Sequence, residues 1–162
     1  MIFDTRYIKY PTYEQVVWLY DRVVEISDGG IKGFRDQGEL SYVLDIVKND
    51  SYFPSFVSKL SLLVHRVCDG HIFADGNKRM GLALGGLFLQ LNGLYKSDMK
   101  YIQRMESITY HIAAGNVNEE LLNKVLCAII NYQDYDEELK YELCIAFANK
   151  PIDHLVLNNE LL

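Results

Sequence analysis

Asn77-Lys78-Arg79-Met80-Gly81-Leu82-Ala83-Leu84-Gly85-Gly86-Leu87-Phe88-Leu89-Gln90-Leu91-Asn92 is the stretch on which the fold turns. It makes about four helical turns and is apolar on nearly every side, the mark of a helix buried all round. Three glycines inside it each cost roughly 1 kcal/mol of helix stability against alanine. Gly81 and Gly85, four residues apart, share one face, which lets a second helix come close. The reading is a buried central helix over about 77–92.

Working outward, Pro54 with Ser55 opens a preceding helix that carries Phe56, Leu60, Leu63, Val64 and Val67, and Gly70 can close it. Thr12-Tyr13-Glu14-Gln15 has the form of a capping box. Val16, Leu19, Tyr20, Val23 and Val24 follow at helical spacing, with Gly29-Gly30 able to end the run. Asp36-Gln37-Gly38-Glu39 is another start, with Asp36 as the cap and Glu39 reaching back; Leu40, Val43, Leu44 and Val47 form its buried stripe. After the central helix come three more, from Ser97 to before Gly115, from Asn118, and from about Asp136 to Asn149 ahead of Pro151. The tail 152–162 stays unassigned. No alternating strand pattern and no internal repeat stands out. The expected fold is all-α, about seven helices around one hydrophobic helix.

The chain has 162 residues, 49% hydrophobic and 12% aromatic, enough for one domain with a real core and too apolar for a disordered chain. Cys68, Cys127 and Cys144 form no CxxC pair, so a reducing compartment is expected, with the thiols as small buried hydrophobes. Trp18 and Tyr10, Tyr13 and Tyr20 read as packing residues. The amino terminus lacks signal-peptide order, and the longest apolar stretch, Met80 to Leu91, is about half a bilayer span. The expectation is a soluble, cytoplasmic protein with no membrane partner. A net charge of −6 argues against direct nucleic-acid binding. It is uneven: residues 1–105 balance to +1 and residues 106–162 to −7. The acidic last third reads as a solvated helical face, or else as a docking surface for a basic partner.

The turn before the central helix, His71-Ile72-Phe73-Ala74-Asp75-Gly76-Asn77-Lys78-Arg79, breaks a charge rule. A helix N-terminus carries partial positive charge and four unpaired N–H groups, so acidic residues favour its first turn. Lys78 and Arg79 occupy it instead, at about 0.3–1 kcal/mol each if nothing compensates. An anion would compensate. Free N–H groups, the positive pole and two cationic side chains favour phosphate. Gly76 has no side chain to block its approach, and Asn77 adds a neutral donor. Asp75 offers the hard oxygen that Mg²⁺ takes alongside substrate phosphates. His71 can accept a proton from an incoming hydroxyl. Together these residues form a phosphoryl- or nucleotidyl-transfer set. On residue types alone a structural turn is the alternative, with Asp75 a mere cap, His71 a satisfied loop histidine and the cations solvated or paired elsewhere.

The stretch resembles the His-x-Phe-x-Asp/Glu-Gly-Asn signature of the Fic/Doc superfamily, carried here by His71, Phe73, Asp75, Gly76 and Asn77. Lys78-Arg79 resembles the Doc (death-on-curing toxin) branch; the Fic branch has Gly-Arg there. Upstream, Gly29-Gly30 and Gly33-Phe34-Arg35-Asp36 resemble the Gly-Gly-x-x-Gly-Val/Ile-Arg-Asp segment of Doc-like proteins. The likeness covers about residues 12–115. It departs at Met80, where threonine is frequent, and at Gly70, where a polar residue is.

The resemblance implies an all-helical catalytic core over 1–115, with 116–162 a C-terminal helical extension packed on the same domain. It implies ATP as substrate with Mg²⁺, His71 as base on a hydroxyl of a protein target, and Asp75 as metal ligand. Gly76, Asn77, Lys78 and Arg79 would bind the phosphates, and Phe73 would anchor the loop. The loop 28–38 matches the family's target-positioning flap, with Ile31, Lys32 and Gly33 as expected contacts; Asp36 reads as a helix cap and Arg35 as its ion-pair partner. The family's autoinhibitory Ser/Thr-x-x-x-Glu-Gly/Asn motif does not occur in this sequence. A separate, Phd-like antitoxin is therefore the implied restraint, and the translation machinery the implied target.

Fic-branch members move AMP; the Doc branch moves a terminal phosphate. A lysine at 78 fills the space that glycine leaves for one nucleotide orientation and adds a charge. The expectation is a protein kinase of unconventional fold, with AMP transfer (AMPylation) as the alternative and a non-catalytic interaction module as the second alternative. A metal hydrolase using His65, His71 and Asp75 is disfavoured, because the spacing contains no i,i+4 ligand pair.

Overall fold

The computed structural model describes residues 4–27, 30–94 and 98–149. Ser97, read above as a helix start, Gly29 and the tail from Pro151 lie outside them. Among the described residues a short 3₁₀ turn, Thr5–Tyr7, precedes seven α-helices: α1 (Tyr13–Ile26), α2 (Gln37–Ile46), α3 (Phe56–Asp69), α4 (Asn77–Leu91), α5 (Asp98–Ala113), α6 (Glu119–Ile130) and α7 (Glu137–Ala148). The chain is all-α.

Local chemistry sets most helix starts. The Thr12 hydroxyl accepts from the Gln15 N–H and the Gln15 side chain accepts from the Thr12 N–H, a complete capping box. Ser55 and Ser58 do the same for α3, and Asn118 and Asp136 cap α6 and α7. Two details differ from expectation. α1 ends at Ser27, ahead of the glycine pair, because the Ser27 hydroxyl donates to the carbonyls of Val23 and Val24 and satisfies acceptors left open at a helix end. Asp36 caps α2 through the Glu39 N–H, but Glu39 does not reach back: its carboxylate pairs with Arg66 of α3 at 3.2 Å.

α4 is buried as its sequence demands, with no exposed residue from Met80 to Leu89. The glycine pair explains how. A Cβ on Gly81 would strike the Cys68 thiol of α3 and sit 3.2 Å from the Val64 carbonyl oxygen. On Gly85 it would strike the Tyr101 hydroxyl of α5 and sit 2.8 Å from Val64 Cγ2. α3 shares the centre: it packs on α2, α4, α5 and α6, while α4 packs on α1, α3 and α5. The hub is therefore an α3–α4 pair. Phe56 stacks on Phe88 across it at 4.8 Å, and burying a phenylalanine contributes roughly 1.5–3 kcal/mol. Lys59 is wholly buried, yet its Nζ donates to the Val47 carbonyl at 2.8 Å and pairs with Asp50 at 2.7 Å. α7 packs on α6, and Phe147 stacks on His111 of α5 at 4.3 Å.

Two packing expectations fail. Trp18 is 60% exposed, with the Arg22 guanidinium 5.5 Å above its ring. Cys127 and Cys144 are also exposed, and only Cys68 is buried. Their apolar neighbours in sequence occupy adjacent helix faces, so a hydrophobic stretch did not imply an inward thiol. Among the described residues no helix is long and apolar enough to cross a membrane.

Candidate active site

The loop between α3 and α4 turns sharply at His71, whose φ of 48° is uncommon for a residue with a side chain. Ile72 and Phe73 then plunge into the core. Phe73 stacks on Tyr20 at 4.2 Å and meets Phe34 at 5.1 Å, so it anchors the loop as expected. Asn77 closes the loop: its Oδ1 accepts from the Phe73 N–H at 2.9 Å and its Nδ2 donates to the Phe73 carbonyl at 3.0 Å. That engages both ends of the amide in the loop.

Gly76, with φ 82°, is the N-cap of α4 and supplies no capping side chain. Helical bonding begins with the Met80 N–H on the Gly76 carbonyl at 2.8 Å. The N–H groups of Asn77, Lys78 and Arg79 have no acceptor among the described residues. A left-handed glycine is what lets the chain enter the helix while keeping them open.

The two cations at this pole differ. Lys78 has no carboxylate partner among the described residues; its Nζ lies 5.1 Å over the Tyr110 ring. Arg79 Nη2 is 3.8 Å from Asp75 Oδ2, a long and half-exposed pair worth at most about 1 kcal/mol. The Asp75 Oδ1 accepts from the Gly76 N–H at 2.6 Å. Gly30 of the flap packs directly on this carboxylate: a Cβ there would strike it and sit 3.1 Å from Asp75 Cγ.

His71, Asp75, Gly76, Lys78 and Arg79 line one open cavity of about 440 Å³. The His71 ring is exposed and has no hydrogen-bond partner among the described residues. Cys68 also lines the cavity; burial and nearby Asp69 push its thiol up to about 12, against a smaller opposing pull from Lys78.

The flap is stitched to the motif loop, which the sequence did not reveal. Phe34 and Phe73 form an isolated antiparallel bridge. The Arg35 and Asp36 N–H groups donate to the Ile72 carbonyl at 2.8 and 3.1 Å, and the Ala74 N–H donates to the Gly33 carbonyl at 2.8 Å. Of the expected docking residues, Ile31 is 76% exposed. Lys32 is bound back to Asp21 of α1 at 2.8 Å, and Gly33 already uses both its N–H and its carbonyl.

Arg35 is a correction. It forms no ion pair with Asp36, whose carboxylate caps α2; instead it lines the cavity beside His71. Strand alternation was the available signal: with Phe34 facing the core, the next side chain faces outward.

Residues 10–89 match the model of the Fic/DOC family, from ahead of α1 to within α4. No curated protein matches the chain. Fic/DOC proteins generally use ATP and transfer nucleotide-derived groups onto proteins. Since flap, motif loop and cradle all fall inside the matched segment, on an all-α frame, this chain belongs to the Fic/DOC family.

Proposed function

We propose that this protein is a Doc-like enzyme that moves the terminal phosphate of ATP to a hydroxyl of a target protein. One observation carries the reading: Asn77, Lys78 and Arg79, whose N–H groups have no acceptor among the described residues, line the same cavity as His71 and Asp75, and Lys78 has no carboxylate partner among those residues. Such a cradle suits phosphates.

In this reaction His71 takes the proton of the target hydroxyl. The hydroxyl oxygen forms its bond to the terminal phosphorus as the bond from that phosphorus to its bridging oxygen breaks. ADP leaves, and the imidazolium releases its proton to solvent. Gly76 gives the phosphates room, Lys78 and Arg79 offset their charge, and Asp75 is the metal ligand. Asp75 would hold Mg²⁺, which takes one or two protein carboxylates and otherwise phosphate oxygens and water. When bound, the ion neutralises charge building on the phosphates.

The resemblance to the Doc branch adds three proposals: a cytoplasmic setting, a separate Phd-like antitoxin and a target in the translation machinery. AMP transfer is the second reading. It draws on the Lys78 Nζ lying 5.1 Å over the Tyr110 ring, a contact that competes with a phosphate for this cation. Pure protein incubated with lysate and ATP labelled at the α or the γ phosphorus decides between them. Label reaching protein from the γ position alone supports phosphate transfer; label from the α position alone overturns it.

A further inference from the structure

All six arginines of the chain are described, and five have a carboxylate partner: Arg6, Arg22, Arg66, Arg79 and Arg104. Arg35 has none among the described residues, and no side-chain hydrogen bond to any of them. An unpaired guanidinium beside a site that already holds Lys78 and Arg79 is unfavourable by repulsion alone, since like charges raise each other's energy. Arg35 is also not free to drift. Its N–H is fixed to the Ile72 carbonyl at 2.8 Å, next to His71 in the chain, and the flanking Phe34 is locked against Phe73 and Tyr20. The backbone thus holds Arg35, an exposed residue, on the lining of the cavity that His71 also lines.

Around that cavity stand three cations, Arg35, Lys78 and Arg79, and one carboxylate, Asp75. A polyanion is the partner such an excess selects. The α4 N-terminus and Arg35 of the flap both border the cavity. We infer that Arg35 is a phosphate-binding residue that grips the reacting phosphoryl group of the nucleotide from the flap. The inference rests on the nucleotide reading above and deepens it. The planar fork of arginine suits two phosphate oxygens at once, and with its backbone tied to Ile72, the residue after His71, it is placed to meet the group on which charge rearranges during transfer.

Calorimetry with Mg-ATP on wild type, Arg35→Gln and Arg35→Lys tests this, alongside thermal melting to show that the exposed substitution leaves the fold intact. Arg35→Gln should weaken Mg-ATP binding about tenfold or more, with Arg35→Lys between it and wild type, because charge is kept and the fork is lost. An Arg35→Gln protein that binds Mg-ATP like wild type overturns the inference while leaving the nucleotide reading intact. If wild type itself binds no Mg-ATP, the nucleotide reading falls, and this inference with it.

Discussion

The Tyr20 hydroxyl lies 3.2 Å from both the carbonyl oxygen and the amide nitrogen of Gly33, and 3.3 Å from the Asp75 carbonyl oxygen. One phenol on α1 therefore holds the flap and the loop before α4 in register. Tyr20→Phe keeps the ring stack on Phe73 and removes only these bonds. We expect a loss of about 0.5–1.5 kcal/mol, read by thermal melting, and faster hydrogen exchange at the Gly33 amide. Unchanged exchange at Gly33 would show that the phenol does not tether the flap.

Gly30 and Asp75 make the second test. A methyl group at position 30 has nowhere to go except into the Asp75 carboxylate. Gly30→Ala should leave the helices intact by circular dichroism and selectively weaken the Mg²⁺-dependent part of ATP binding, measured with and without chelator. Equal loss in both conditions would contradict the placement of Asp75 as metal ligand.

Lys78 is proposed to favour presentation of the terminal phosphate. Lys78→Gly should lower transfer from γ-labelled ATP and raise the share of label transferred from the α position. An unchanged ratio would remove Lys78 from that role.

The thiols give a pH prediction with a definite sign. The Cys68 thiol is pushed from its ordinary 9.0 to about 12 by burial, so between those values the folded state holds a proton that the unfolded state has lost. Stability is fully present below pH 9.0 and falls as pH rises above it, by up to about 1.4 kcal/mol per unit. Buried Tyr101 adds to the slope in the same direction above its ordinary 10.0. Cys68→Ala should flatten the slope of denaturant-derived stability against pH just above 9.0. At neutral pH a thiol reagent should label Cys127 and Cys144 and spare Cys68 until unfolding, a pattern mass spectrometry reads directly.

What the sequence made legible was local. Thr12 with Gln15, Ser55, Asp36, Asn118 and Asp136 announce their helices through bonds spanning three residues, and the stripes of α2 and α3 face the core as spacing demands. The motif announced itself by its misplaced charges. What stayed hidden depends on partners far along the chain. Glu39 was claimed by Arg66, and Lys32 by Asp21. The Asn77 amide closes the loop because folding brings the Phe73 backbone under it. Arg35 looked like a partner for its neighbour, but the Phe34–Phe73 bridge turns it to the cavity. No local pattern in 28–38 encodes that pairing.

A crystal structure with Mg²⁺ and a non-hydrolysable ATP analogue tests the central claim most directly. Phosphate oxygens should lie within hydrogen-bond distance of the main-chain N–H groups of Asn77, Lys78 and Arg79, with the terminal phosphorus toward His71. Nucleotide density elsewhere, with those three N–H groups bound only to water, would contradict it.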